Sequence, residues 1–367
     1  MVNERQRLVD IAHMREALAL AARGRTTVSP NPMVGCVIVA PDGACVGRGA
    51  HERAGEAHAE VHALRDAGAR ARGATMYVTL EPCCHTGRTG PCVVPTVDAG
   101  IARVVAAVED PNPLVAGQGF AFLRQRGVEV TVGVLEAEAR RLNEAFFTSV
   151  TLRRPHVTLK VALSADGFIA KAGGGPTAIS GRESLKHAHV YRSHVDGLAV
   201  GIGTLLADDP RLTVRGAYRS RPLMRVIFDS GLRTPLSARI WQTRVAGPIV
   251  IVTTEAAVAA RPDVVAAVAE RGGECVACAP HDVADALAAL DRRQVRSIVL
   301  EGGALMHQAA WNAGVVDRVH LYQSPRRLGN GVRWTLDGLR DLAAWPDADR
   351  QSLGPDTLID IDVHRTR

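Results

Sequence analysis

"TLEPCCHTGRTGPC" (79–92) places Cys83, Cys84, His85 and Cys92 within ten residues, four side chains that can all bind a soft metal. A closed structural zinc site would use all four, whereas a catalytic zinc typically has three protein ligands and keeps its fourth position for water. What surrounds the stretch decides the fold. Before it come a helical pattern near residues 8–23, the apolar run "VGCVIV" (34–39), the helical "EAHAEVHALRDAG" (56–68) and the strand-like "TMYVTL" (75–80). After it come a helix from Pro91 and the strand-like "ARVVAAV" (102–108). Alternation of this kind indicates an α/β layered domain.

At 367 residues the chain exceeds one ordinary core, so two domains are expected, residues 1–150 and 151–367. After an amphipathic "EAEARRLNEAFF" (136–147), the stretch "TLRRPH" (151–156) reads as a linker. A new β-α-β series follows, with strands expected at "HVTLKVALS", "DGLAVGI", "MRVIFD", "PIVIVTT", "RSIVLEGG" and "DRVHLY". Residues 1–10 lack the apolar core of a secretion signal, and no run reaches the ~18 apolar residues of a membrane span. The expectation is a cytoplasmic protein with no membrane partner. Seven cysteines without a secretion signal favour metal ligation or free thiols over a disulfide framework.

Charge separates the halves. Residues 1–150 hold 16 Arg and no Lys against 16 acids, and the remainder hold 28 basic residues against 22, so the whole +6 lies in the second half. A nucleic-acid domain usually shows a basic face, so the neutral first half argues against nucleic acid as its partner.

Upstream of the cysteines, "HAEVH" (58–62) offers His58 with Glu60 two residues on. This spacing, followed by Pro82-Cys83, matches the zinc-deaminase signature in which His and two Cys hold the metal and Glu shuttles protons. Cys83 is expected at a strand-to-helix turn, where a helix N-terminus favours thiolate. Cys84 points elsewhere, and an eight-residue loop (84–91) returns Cys92, so the expected ligands are His58, Cys83 and Cys92. Zinc lowers the pKa of bound water toward neutrality, giving hydroxide to attack an amidine-like ring carbon while Glu60 carries the proton to departing ammonia. The bland alternative is a closed site of Cys83, Cys84, His85 and Cys92, which leaves the His-x-Glu spacing unexplained.

"SPNPMVGCVIV", "GRGAHERAGEAHAE" and "TLEPCCHTGRTGPC" resemble the deaminase half of the bifunctional pyrimidine deaminase/reductase family of riboflavin biosynthesis. The resemblance implies a cytidine-deaminase-like three-layer domain and a pocket lined by Asn31, His51, His85 and Arg88. Arg88 has the best physical case, since a ribose-phosphate substrate needs a cation. "LKVALSADGFIA" (159–170), "VGIGTLLADDPRLTVR" (200–215) and "VLEGGALMHQAAW" (299–311) resemble the reductase half, which implies a dihydrofolate-reductase-like α/β domain. By that resemblance Lys160 and Asp208 lie near hydride transfer. Arg192, Leu212, Arg215 and Glu301 match substrate positions, and Leu163, Ala178, Thr204, Asp208, Ser230, Gly302 and Gly303 match positions around NADPH. It also implies a homo-oligomer, dimer or tetramer.

From the residues alone, "GIGTLL" lacks the third glycine of the dinucleotide fingerprint, while "EGGA" between strand and helix suits a phosphate cradle or a simple tight turn. Lys160 is one of three lysines against 41 arginines, which points to a required ammonium. Two segments depart from the family pattern. "GGGPTAISG" (173–181) has Ala178 where the family carries an aromatic residue, and "YQSPRRLG" (322–329) is unusually polar. These departures leave open an active deaminase joined to a non-reducing second domain. "CVAC" (275–278) has no partner pair nearby.

Overall fold

The computed structural model describes residues 4–85, 90–113, 115–336, 345 and 348–364. The chain divides into two compact units, Met1–Leu152 and Arg153–Arg367.

In the first unit a five-stranded sheet has the order β2-β1-β3-β4-β5, with β1 (Gly35–Val39), β2 (Cys45–Ala50), β3 (Thr75–Val78), β4 (Arg103–Ala106) and β5 (Glu129–Val132). The first three in that order pair antiparallel and the last three parallel. Every residue of β1 is buried, because helices cover both of its faces. Helix α1 (Glu4–Ala21) lies against Gly35, and α2 (Ala59–Ala67) lies against Gly47 and Gly49 of β2. Since Cys36 pairs with Gly49, Gly35 projects to the opposite face, so α1 and α2 sandwich the sheet into three layers. Helices α3 (Val93–Asp98), α4 (Gln118–Gln125), α5 (Glu136–Leu142) and α6 (Glu144–Leu152) complete the unit.

The second unit holds strands β6 (His156–Leu163), β7 (Phe168–Ala170), β8 (Gly197–Gly201), β9 (Met224–Phe228), β10 (Ile249–Thr254), β11 (Gly273–Cys278), β12 (Ser297–Glu301), β13 (Arg318–Gln323), β14 (Val332–Arg333), β15 (Asp349–Leu353) and β16 (Asp356–Asp362). Nine of them form one sheet ordered β11-β10-β9-β8-β12-β6-β13-β16-β15, and β14 pairs with β7. The sheet is parallel up to β13, then antiparallel through the C-terminal hairpin. Helices α7 (Arg182–His194), α8 (Ile202–Asp208), α9 (Glu255–Ala260), α10 (Pro262–Glu270), α11 (Val283–Asp291) and α12 (Ala304–Asn312) connect the strands. In parallel sheets of this kind ligands bind beyond the carboxyl ends of the strands, where α8 follows β8 and α12 follows β12.

Three local readings of the sequence are corrected. The pattern over 136–147 is two helices, because Asn143 turns aside: its side chain accepts from the Met33 N–H at 2.7 Å and donates to the Met33 carbonyl at 2.8 Å, as a neighbouring strand would. The stretch 151–156 is not a free linker. Leu152 closes α6, His156 opens β6, and buried Arg154 grips Asp317 with contacts of 2.6 and 2.8 Å. Burial pushes the Asp317 carboxyl up, but hydrogen bonds from Arg154 and His364 outweigh it and hold the group well below the ordinary range. Cys83 does not sit at a helix start. It lies in the irregular stretch after β3, and Cys92 occupies the N-cap of α3.

Helix α2 can approach β2 only because Gly49 has no side chain, since a Cβ there would stand 2.0 Å from the Ala59 carbonyl oxygen. We expect Gly49→Ala to destabilise the first unit by about 1–3 kcal/mol through overpacking, read from denaturant unfolding. Unchanged stability would contradict this packing of α2.

Candidate active sites

Three separate segments meet in the first unit. His58 stands at the N-terminal boundary of α2 in extended backbone, Cys83 lies past β3, and Cys92 begins α3. His58 Nδ1 is 3.2 Å from Cys92 Sγ and 3.5 Å from Cys83 Sγ, and one donor atom from each of the three residues lies within 4.8 Å of the others. Among the described residues no other group of three or more His, Cys, Asp or Glu does this. Cys84 and His85 are outside the cluster, so the closed four-donor alternative does not form in this geometry. The Cys84 thiol is pushed up by burial, and its side chain packs against the core.

The two cluster thiols are unlike. The Cys83 thiol is pulled down to about 4 by the hydrogen bond from Cys92, with His58 and the Cys92 backbone N–H assisting against burial. The Cys92 backbone N–H donates to Cys83 Sγ at 3.3 Å. That same contact drives the Cys92 thiol upward. Two sulfurs and a ring nitrogen thus converge, a donor set whose chemistry and spacing fit a zinc ion with its fourth position open.

Glu60, in the first turn of α2, is 3% exposed, and its Oε2 is buried without a hydrogen-bond partner among the described residues. Burial pushes its carboxyl up. Asn31 and His51 flank the imidazole. The His51 ring is perpendicular to that of His58 at 5.4 Å, its Nδ1–H donates to the Ala57 carbonyl at 3.2 Å, and its Nε2 accepts from Asn31 at 3.1 Å. His85 Nδ1 is buried without a partner among the described residues. Arg88 lies outside the described residues.

Sequence reasoning missed Glu81. Its buried carboxylate accepts four main-chain N–H groups, from Asp110 (3.2 Å), Gly117 (2.9 Å), Gly119 (2.9 Å) and Phe120 (3.2 Å), which fastens the residues just before Cys83 to the start of α4. The only sequence signal was an acidic residue inside an otherwise buried run.

In the second unit Lys160 lies on β6, in register with Glu301 of β12 on one side and His320 of β13 on the other. Its ammonium is 5.5 Å from the Tyr322 ring centroid. Burial pulls its pKa down, opposed by Glu301 and aided by Arg192. Burial pushes the Glu301 carboxyl up, but Arg192 outweighs it, gripping both oxygens through Nε (2.6 Å) and Nη2. Arg192 Nη1 also donates to the Thr213 carbonyl at 3.3 Å. Lys160, Arg192 and Glu301 therefore come together. Asp208 closes α8, its carboxyl raised by burial, and among the described residues makes no hydrogen bond or ion pair with Lys160. The Leu212 side chain is buried in the core at a φ of 48°. Arg215 is exposed.

Gly302 and Gly303 open α12 with φ of 78° and 85°. A Cβ at Gly302 would stand 2.9 Å from the Thr204 side chain, so Thr204 and both glycines form one close-fitted cradle of main chain and hydroxyl that suits a cofactor phosphate. Leu163 ends β6, partly buried against the core, and Ser230 is exposed, its carbonyl accepting from Thr254. Ala178 is exposed, and its carbonyl accepts from Arg326 Nη1, so the two segments that depart from the family pattern touch each other. "CVAC" lies on the edge strand β11 with both thiols raised by burial.

Comparison with known proteins agrees with both halves. Residues 8–108 match the cytidine and deoxycytidylate deaminase zinc-binding region, and residues 155–359 match the RibD C-terminal domain. Riboflavin biosynthesis protein RibD of Aquifex aeolicus is 40% identical, with 92% of each chain covered. RibD of Escherichia coli is 38% identical over 96% of this chain and 99% of its own. Among solved structures, Acinetobacter baumannii RibD superposes with a TM-score of 0.84 at 33% identity, covering 97% of this chain and 99% of its own. By these matches the chain belongs to the RibD family, two-domain enzymes of riboflavin biosynthesis with a zinc-binding deaminase domain and a reductase domain.

Proposed function

We propose that the chain deaminates 2,5-diamino-6-(5-phosphoribosylamino)pyrimidin-4(3H)-one and then reduces the ribosyl group of the product to a ribityl chain, using zinc in the first unit and NADPH in the second. The observation that carries this reading is the convergence of His58, Cys83 and Cys92 beside a buried carboxylate oxygen that has no partner.

His58, Cys83 and Cys92 would hold a zinc ion, which when bound would lower the pKa of a water poised to attack the amino-bearing ring carbon. Glu60 would take a proton from that water and hand it to the exocyclic nitrogen, so that a C–O bond forms as the C–N bond breaks and ammonia leaves. A buried acceptor that the protein does not satisfy is kept for substrate and water. Asn31 and His51 shape the wall beside His58, His85 offers an unpaired ring nitrogen, and Arg88 is assigned to the phosphate.

In the second unit NADPH supplies a hydride. The Gly302–Gly303–Thr204 cradle receives its phosphates, with Leu163, Ala178 and Ser230 assigned along the rest of the cofactor. With NADPH bound, Lys160 would hand a proton to the ribose ring oxygen as the C1′–O bond opens, hydride and proton together completing the two-electron reduction. Burial lowers the affinity of the ammonium for its proton, which suits donation. Asp208 is assigned beside this transfer, and Arg192, Leu212, Arg215 and Glu301 to the substrate. The same reading makes the protein a cytoplasmic homo-oligomer, dimer or tetramer, acting on a small phosphorylated pyrimidine and not on nucleic acid.

Incubating the zinc-loaded protein with the diaminopyrimidine phosphate should release ammonia and then oxidise NADPH, followed together by ammonia assay and absorbance. Glu60→Gln should retain zinc by elemental analysis yet lose ammonia release by about 10²–10⁴-fold, whereas Cys92→Ser should lose the metal. Undiminished turnover in Glu60→Gln would eliminate the proton-shuttle assignment. Lys160→Met should release ammonia normally and lose NADPH oxidation by about 10²-fold or more. Wild-type NADPH oxidation in Lys160→Met would remove its assigned role.

A further inference from the structure

Resting on the reductase reading, we infer that His189 is a substrate-binding residue of the second site, donating from its Nε2–H to the phosphate of the reductase substrate. His189 lies on α7, one turn before Arg192. Its Nδ1 receives the Arg215 backbone N–H at 3.2 Å and faces Arg192 Nη1 at 3.4 Å. Both of these groups can only donate, so Nδ1 is the acceptor and the ring proton sits on Nε2. Burial, then the charges of Arg192, Arg215 and Lys160, hold the imidazole down to about 4, so the ring is neutral at physiological pH. Its Nε2–H has no protein partner among the described residues.

The surroundings say what that proton is for. Arg192 directs Nε and Nη2 to Glu301 and Nη1 to the Thr213 carbonyl, so most of its donors are spent inside the protein and its charge is neutralised. Arg215 is exposed and has no ion-pair partner among the described residues, while its main chain is tied to His189. The charges of Arg192, Arg215 and Lys160 all act on the His189 ring, so an anion at its distal face meets a positive field and one neutral donor whose direction is set by its other ring nitrogen. A phosphate oxygen, with several lone pairs and full charge, is the group that fits such a set. His189 thus does two things through two atoms: Nδ1 orients the Arg215 segment, and Nε2 binds.

Asparagine and glutamine separate the two atoms. His189→Asn places an amide oxygen where Nδ1 stood and removes the distal donor, whereas His189→Gln places an amide N–H where Nε2 stood. Steady-state NADPH oxidation and calorimetric binding would be measured with the deaminated phosphoribosyl intermediate and with its dephosphorylated counterpart. We expect His189→Asn to raise KM and Kd for the phosphorylated compound about tenfold or more, kcat staying within about twofold and His189→Gln within about threefold of wild type, as for one lost hydrogen bond to a charged group. With the dephosphorylated compound all three proteins should agree within about twofold. Wild-type behaviour in His189→Asn with a defect in His189→Gln would reduce the residue to a positioning role and overturn the inference. So would an equal penalty on both compounds. A wild-type protein that binds the intermediate but oxidises no NADPH would sink the reductase reading while the calorimetric comparison still decides His189. Absence of binding would overturn both.

Discussion

The Glu81 carboxylate, buried and saturated by four main-chain N–H groups, is the contact on which the first site depends. A buried charge is costly unless hydrogen bonds replace its water, and here the replacement comes entirely from backbone. Those donors belong to residues 110–120, so satisfying the charge also binds the end of β3 to the start of α4. Gly119 belongs to the same arrangement, since a Cβ there would stand 2.2 Å from the Pro82 carbonyl oxygen. Cys83 follows directly and is held where its sulfur meets His58. From the other side, the close approach of α2 to β2 presents His58 and Glu60.

The second unit repeats this logic with different parts. Glu301 is gripped by Arg192, and Asp317 by Arg154, His364 and the Val157 N–H, so each of these buried carboxylates has its charge answered. Against that background the unanswered groups stand out. Among the described residues, Glu60 Oε2 is buried without a partner, and the Lys160 ammonium meets a ring face and a carboxylate's field. Most buried polar atoms in folded proteins are satisfied, so the Glu60 oxygen, unpartnered among the described residues next to the cluster of His58, Cys83 and Cys92, is a mark of chemistry.

This distinction also explains what the sequence could reveal. The meeting of His58, Cys83 and Cys92 was legible because metal chemistry demands those residue types and their local order survives in the chain. The hydrophobic runs of β1, β3, β6, β8, β9, β10, β12 and β13 were legible because buried strands must be apolar. Glu81 was not, since its partners are main-chain groups some thirty residues away, with no side-chain signature. Arg154 looked like a linker residue because Asp317 is 163 positions distant. Strand β2 escaped notice because Gly47 and Gly49, which break an apolar pattern, are there to admit a helix. Strand β15 is exposed along nearly all its length, so no burial pattern betrays it. His189 reads as an ordinary helical residue until its two nitrogens are assigned.

The same reasoning bears on the segments that depart from the family pattern. A stretch of three consecutive glycines ahead of Ala178 has no side chains with which to hold a shape, and ordering it carries a large entropic cost. Arg326 answers part of that cost by donating to the Ala178 carbonyl, while the Asp166 carboxylate accepts the Leu328 and Gly329 N–H groups and fixes the arginine's own loop. The unusual polarity of one segment and the missing side chain of the other are thus parts of one contact. Order that an aromatic ring would supply by packing is supplied here by hydrogen bonds from a charged side chain, which are individually stronger but exposed to water. The close fit of Gly302 and Gly303 against Thr204 uses neither of these segments, so it owes nothing to the contact between Arg326 and Ala178.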